Sequence, residues 1–236
     1  MIAVRRLRAA ITQDLRLQWR HGFWFAYAFV CLSYVLVLEL FEAPLRELLL
    51  MLLLFADPAV LGFFFIGGLM LLERGDGTLP GNLASPLRID EWMAAKLASL
   101  TLLGVIASFA IALPLASTLR PGWLLLAIVA TSSCFVVIGI VAGTRFTTVN
   151  RYLIGGGLAT TPLLLPMLAP LGVFDTAVFH LLPTGAAFDL LELGLGRRTP
   201  SAWIGARALL VLFLWTAGVW AWARAWMRRY VIGAER

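Results

Sequence analysis

Hydrophobic and polar positions divide this chain into long apolar runs separated by short charged gaps. Six runs have the length of a membrane crossing: Phe23 to Leu40, Leu48 to Leu72, Leu97 to Leu119, Trp123 to Gly143, Tyr152 to Leu171 and Trp203 to Ala223. About 20 residues of helix cross about 30 Å of hydrocarbon, so each run predicts a transmembrane helix. Ahead of them, Val4, Leu7, Ile11 and Leu15 share one helical face, while Arg5, Arg6, Arg16 and Arg20 lie mostly on the other, with Leu17 as an exception. With Trp19 and Trp24 at headgroup depth, residues 1–21 predict an amphipathic helix resting in the interface. No small-residue cleavage site follows it, so it does not read as a signal peptide. Gly172 to Leu195 holds two apolar pieces too short to cross, broken at Pro183, Thr184 and Gly185. Such pieces predict a re-entrant helical hairpin whose freed backbone groups are covered by protein. The expected fold is one all-α integral membrane domain over residues 1–236, with six transmembrane helices, the interfacial helix and this hairpin before the last span.

Composition and charge add an orientation. The chain is 61% hydrophobic and 14% charged, against about 45–50% and about 25% in soluble domains, which excludes a single water-soluble core. With the N-terminus inside, fourteen Lys and Arg fall in inner segments and five, Arg46, Arg120, Arg197, Arg198 and Arg207, in outer ones. The positive-inside rule then places both termini, the loop at residues 73–96 and the loop at residues 145–151 in the cytoplasm. The net charge of +6 sits at span ends without a basic-aromatic groove, which argues against nucleic acid. Cys31 and Cys134 have no partner at ligand or redox spacing and read as small buried hydrophobes. Eighteen arginines to one lysine, with abundant Ala and Leu, point to a GC-rich bacterial genome and so to a bacterial cytoplasmic membrane.

Candidate chemistry is sparse. A phosphate-binding loop needs a glycine-rich turn ending in Gly-Lys-Ser/Thr, and the single lysine, Lys96, follows no such turn. No intrinsic catalytic site or metal site is expected, because His21 and His180 are far apart and neither lies in a ligand motif. His180, near Asp175 and Asp189, either contacts cargo or stabilises the outer rim. Asp57, in LLLFADPAVLGFFF, is an ionisable group inside a span; it either faces a transport cavity or caps a helix restarting at Pro58. The fifth run, with Gly155, Gly156, Gly157, Thr160, Thr161, Pro162, Pro166 and Pro170, either flexes along a path or packs closely. Phe63, Phe64 and Phe65 form either an apolar wall for a flat substrate or a packed stripe.

The cytoplasmic loop carries the most specific pattern, LLERGDGTLPGNLASPLRIDEWMAAK at Leu71 to Lys96. An acidic residue closing the second span, then Gly-Thr-Leu, Ser-Pro-Leu-Arg, Glu and Lys, is similar to the coupling region of type-2 ABC transporter membrane subunits. DLRLQWRHGFWFAYAF and FADPAVLGFFFIGGLMLLER resemble, more narrowly, the permease subunits known as fluoroquinolone exporters. The resemblance implies that Glu73, Gly77, Thr78, Leu79, Ser85, Pro86, Leu87, Arg88, Glu91 and Lys96 relay movement from an ATP-binding subunit. Pro80-Gly81-Asn82 departs from the acidic, helix-favouring stretch usual in that family, so the coupling helix is either shorter or begins at Pro80. The implied machine pairs two permease copies, alike or similar, with two ATPase subunits that bind ATP and Mg; this chain binds no cofactor itself. It would export a hydrophobic or amphiphilic drug-like molecule, with Asp57, Phe63, Phe64, Thr160, Thr161 and His180 as transport-path candidates. Competing readings are a permease for lipid, haem or peptide, a proton-coupled secondary transporter using Asp57 and His180, and an intramembrane enzyme. The last two are disfavoured by the lack of duplicated halves and of a catalytic constellation.

Overall fold

The computed structural model describes residues 2–75, 88–146 and 148–233. These are helical throughout their regular elements, and no strand occurs among them. α1 (Ile2–Arg20) turns at Gly22, which sits at φ 75°, into α2 (Phe23–Leu38). That left-handed conformation favours a residue without a Cβ. α3 (Ala43–Ala56) runs through a π turn (Asp57–Leu61) into α4 (Gly62–Gly75). Pro58 has no N–H to donate to the carbonyl four residues back, and one widened turn accommodates it without ending the helix. α5 (Ile89–Leu115) and α6 (Pro121–Gly143) follow as uninterrupted helices.

The fifth apolar run is broken, as its prolines and glycines predict. Thr148 caps a single turn, α7 (Val149–Arg151), which passes through a π turn (Tyr152–Gly156) into α8 (Gly157–Leu164) and a 3₁₀ turn (Leu165–Leu168). A second 3₁₀ turn (Ala177–Leu181) precedes α9 (Pro183–Gly194), and the last element is α10 (Ala202–Gly233).

Among the described residues, four helices are long and apolar enough to cross a membrane: Ala43–Leu71, Ile89–Leu115, Pro121–Gly143 and Ala202–Met227. A fifth crossing results if α1 and α2, bent by 65°, count as one. The third apolar segment starts earlier than hydropathy suggests, at Ile89 rather than Leu97. Its first two turns hold Asp90, Glu91 and Lys96, whose charges are paired with other helices instead of being left to solvent.

α6 is the central helix, packed against α4, α5, α9 and α10. Two apolar clusters surround it. One gathers Leu54, Phe55, Phe135 and Phe188; the other gathers Ile66, Trp92, Ile140 and Met227 where α4, α5, α6 and α10 meet. Leu17, the apparent exception on α1, packs against the second cluster. Lipid-sized apolar faces stay outside: Phe25 and Phe29 on α2, Trp203 and Phe213 on α10.

Candidate functional site

The buried charges concentrate where α1, α4 and α5 converge. Lys96 Nζ donates to Asp14 Oδ1 at 2.5 Å and also to Glu73 Oε1, and it lies 5.7 Å from the centre of the Trp92 ring one helical turn earlier. All three charged residues are buried. Bringing ions out of water is costly, so each must be matched at short range. Both carboxylates contact the same ammonium. Burial accordingly pushes the Asp14 and Glu73 carboxyls up, opposed in part by Lys96. An acid whose folded-state titration is raised contributes stability that is lost as pH rises through it. The melting temperature is therefore expected to fall on the alkaline side of that titration, and Asp14→Asn should flatten the fall in a pH series.

The same end of the bundle is bound by more exposed pairs. Arg6 Nη2 meets Glu91 Oε1 at 3.0 Å, while Glu91 Oε2 accepts the Arg88 backbone N–H at 3.0 Å and caps α5. Asp90 meets Arg224 of α10 at 3.1 Å. Arg88 stands in extended conformation at the start of α5. Gly77, Thr78, Leu79, Ser85, Pro86 and Leu87 lie outside the described residues. What the structure gives is the frame of that loop: α4 on one side and α5 on the other, clamped by Glu73 and Lys96.

Asp57 lies within the second long apolar helix, 2% exposed, and neither carboxylate oxygen has a hydrogen-bond partner among the described residues. It makes no capping hydrogen bond, because the helix continues past Pro58 and offers no free N–H there. It lines a cavity of about 10 Å³ with Tyr27, Gly62, Gly104 and Ser132. Phe63 is buried, stacked on Tyr152 with ring centres 5.3 Å apart, and the Tyr152 hydroxyl donates to the Phe63 carbonyl at 2.5 Å. Phe64 meets the same tyrosine edge-on. Thr160 and Thr161 donate to the Gly156 and Gly157 carbonyls, supplying acceptors with donors around the break in the helix. Thr160 also lines a cleft of about 360 Å³ between α6, α8 and α10, with Arg145, Trp215 and Trp222.

At the opposite end from the Lys96 cluster along α10, Asp189 is buried and meets Arg198 at 3.0 Å, Arg207 at 2.7 Å and His180 Nδ1 at 3.1 Å. His180 and Asp175 line a cavity of about 120 Å³ with Pro166 and Pro170. His180 and Asp57 line separate cavities.

The sequence model of the fluoroquinolones export permease protein family matches residues 5–235. The chain belongs to that family. Similar proteins include the fluoroquinolones export permease proteins of Mycobacterium tuberculosis strains CDC 1551 and H37Rv. Each is 29% identical over 248 residues, spanning 96% of this chain and 97% of the relative. No solved structure matches it significantly. Family membership and the apolar helices together make the permease a multi-pass membrane protein of the transport class.

Of the residues singled out by sequence in this permease, the structure brings Glu73 and Lys96 into contact, and packs Phe63 and Phe64 against the glycines that begin α8. Asp14 and Arg207 escaped sequence reasoning. A signal for Asp14 existed: it and Gln18 fall on the side of α1 that turns inward, and a lone lysine within an apolar helix requires a carboxylate from somewhere.

Proposed function

We propose that this permease is the membrane-spanning subunit of an ATP-driven exporter of the type-2 ABC class. Two permease copies would face each other and two separate subunits would bind ATP and Mg. The observation that carries the reading is the Asp14–Lys96–Glu73 cluster. It ties the interfacial helix and both helices that flank the loop at residues 76–87 into one unit, so a push on that loop would move α1, α4 and α5 together. In the same reading there are six crossings, adding α2 and the broken α7–α8 segment to the four long helices. Both termini would lie in the cytoplasm of a bacterial cell, and residues 172–195 would dip in as the re-entrant hairpin. Cargo would be a hydrophobic or amphiphilic drug-like molecule, as the names of the mycobacterial relatives suggest, with Asp57, Phe63, Phe64, Thr160, Thr161 and His180 as path candidates.

Gentle purification of the tagged chain from its own membrane tests this. A stoichiometric ATPase with a phosphate-binding loop is expected to accompany it, and its hydrolysis should respond to cargo. A folded chain with no such partner would overturn the reading. Within an intact complex, Arg88→Ala with Glu91→Ala is expected to lower cargo-stimulated hydrolysis while membrane insertion stays normal. Unchanged coupling would remove these two residues from the relay.

A further inference from the structure

A second, larger cleft adjoins Asp57. It measures about 420 Å³ and lies between α2 and α5, walled by Trp24, Tyr27, Leu32, Val35, Ile106 and Pro114. That volume is within the usual range for small-molecule sites, about 300–1,000 Å³. Its one thiol, Cys31, is directed at the Ala107 carbonyl, which leaves the wall apolar and aromatic. Tyr27 and Leu103 line this cleft and also the Asp57 cavity, so a single layer of side chains separates the two.

The Asp57 cavity has room for about one water, and its floor is short of bulk because Gly62 and Gly104 contribute no side chain. Among the described residues, no Lys, Arg or His lines either space. A carboxylate this deeply buried is retained only where something neutralises it, and no group of the described protein does so. Ser132 Oγ, which accepts the Thr101 hydroxyl at 3.1 Å, adds a polar atom to the lining of the cavity. The Tyr27 ring, edge-to-face with Phe65 at 5.4 Å between centres, adds a π face of the kind that attracts cations. The π turn at Asp57–Leu61 gives this stretch of helix a local irregularity of a type often found at functional sites.

We infer that the cleft and Asp57 are two halves of one site for a hydrophobic cation, the aromatic body lying between α2 and α5 and the ammonium reaching Asp57 past Tyr27. The inference rests on the export reading and names the chemical class of cargo. A lone proton or sodium ion at Asp57 is the competing occupant.

Binding to the full-length chain in nanodiscs decides between them, using naphthylmethylamine, protonated at neutral pH, and its uncharged N-acetyl derivative. The amine is expected to bind more tightly than the amide. Asp57→Asn should weaken the amine by about tenfold to a hundredfold, the range for losing a charged hydrogen-bond partner, and leave the amide unchanged. Ala28→Phe, which fills the cleft without touching Asp57, should weaken both. Equal affinity of amine and amide, an amine preference that survives Asp57→Asn, or binding that ignores Ala28→Phe would each overturn the site. So would sodium binding abolished by Asp57→Asn with neither organic probe bound. Charge-selective binding without a co-purifying ATPase would sink the export reading and leave the site. Cargo-stimulated hydrolysis indifferent to amine charge would do the reverse.

Discussion

Lys96→Met is expected to be the most damaging single change to this protein, lowering its stability by about 3–5 kcal/mol, the usual cost of leaving buried charges without their counterion. Lys96 is the group that Asp14 and Glu73 share. Its loss would leave two adjacent carboxylates facing each other in a site with little water. Thermal unfolding of the purified protein, followed through its nine tryptophans, provides the measurement. The triple replacement Asp14→Asn, Glu73→Gln, Lys96→Met serves as the counter-experiment. Because it removes the charges together, it should regain most of the lost stability while uncoupling α1 from α4 and α5. A stable triple variant with normal cargo-stimulated hydrolysis would show that the cluster only holds the fold. Under the proposed function, the expected result is a stable triple variant whose ATPase partner hydrolyses ATP without cargo being moved.

Gly139→Ala follows in size. A methyl group there would stand 2.8 Å from the Phe63 carbonyl oxygen and 3.1 Å from the Phe63 Cα, with Ile66 also in the way. Backbone atoms cannot swing aside as a side chain can, so α4 and α6 would have to separate along their crossing. Overpacking of this kind costs about 1–3 kcal/mol. Gly68→Ala on α4 is the internal control, since nothing lies within 4 Å of the added atom and the helix gains from the exchange by up to about 1 kcal/mol. Opposite shifts in melting temperature are expected for the two. A similar loss in both would mean that helix flexibility, not the crossing, sets the response. Separation at Gly139 would also displace Phe63 from Tyr152, and thereby disturb the start of α8.

Hydrophobic runs made the helical character of the chain legible, and the density of proline and glycine between Gly155 and Pro170 announced a broken helix. The apolar run that marked the third crossing began only at Leu97, inside α5, for a physical reason. Hydropathy treats Asp90, Glu91 and Lys96 as residues seeking water, whereas each is matched by Arg224, Arg6 or the Asp14–Glu73 pair. Such pairing depends on which helices meet, and span-by-span reading carries no record of that. Asp57 shows the same limit from the other side. The dipeptide Asp-Pro suggested either a cap or a cavity, and only the continuous course of the helix through its π turn leaves the carboxylate uncapped. His180 was rightly placed near Asp189, but Arg198 and Arg207 reach that carboxylate from beyond the end of α9.

The shared lysine also orders the way this protein can be built. Glu73 stands 23 residues before Lys96, whereas Asp14 stands 82 residues before it. Closing the shorter loop costs less chain entropy, so the hairpin of α4 and α5 can enter the bilayer with one acid and one base already cancelling. The N-terminal helix, synthesised first, must then wait at the surface with Asp14 in water until its dock exists. Its dock is complete only where the second and third apolar segments lie side by side, since Glu73 and Lys96 come one from each.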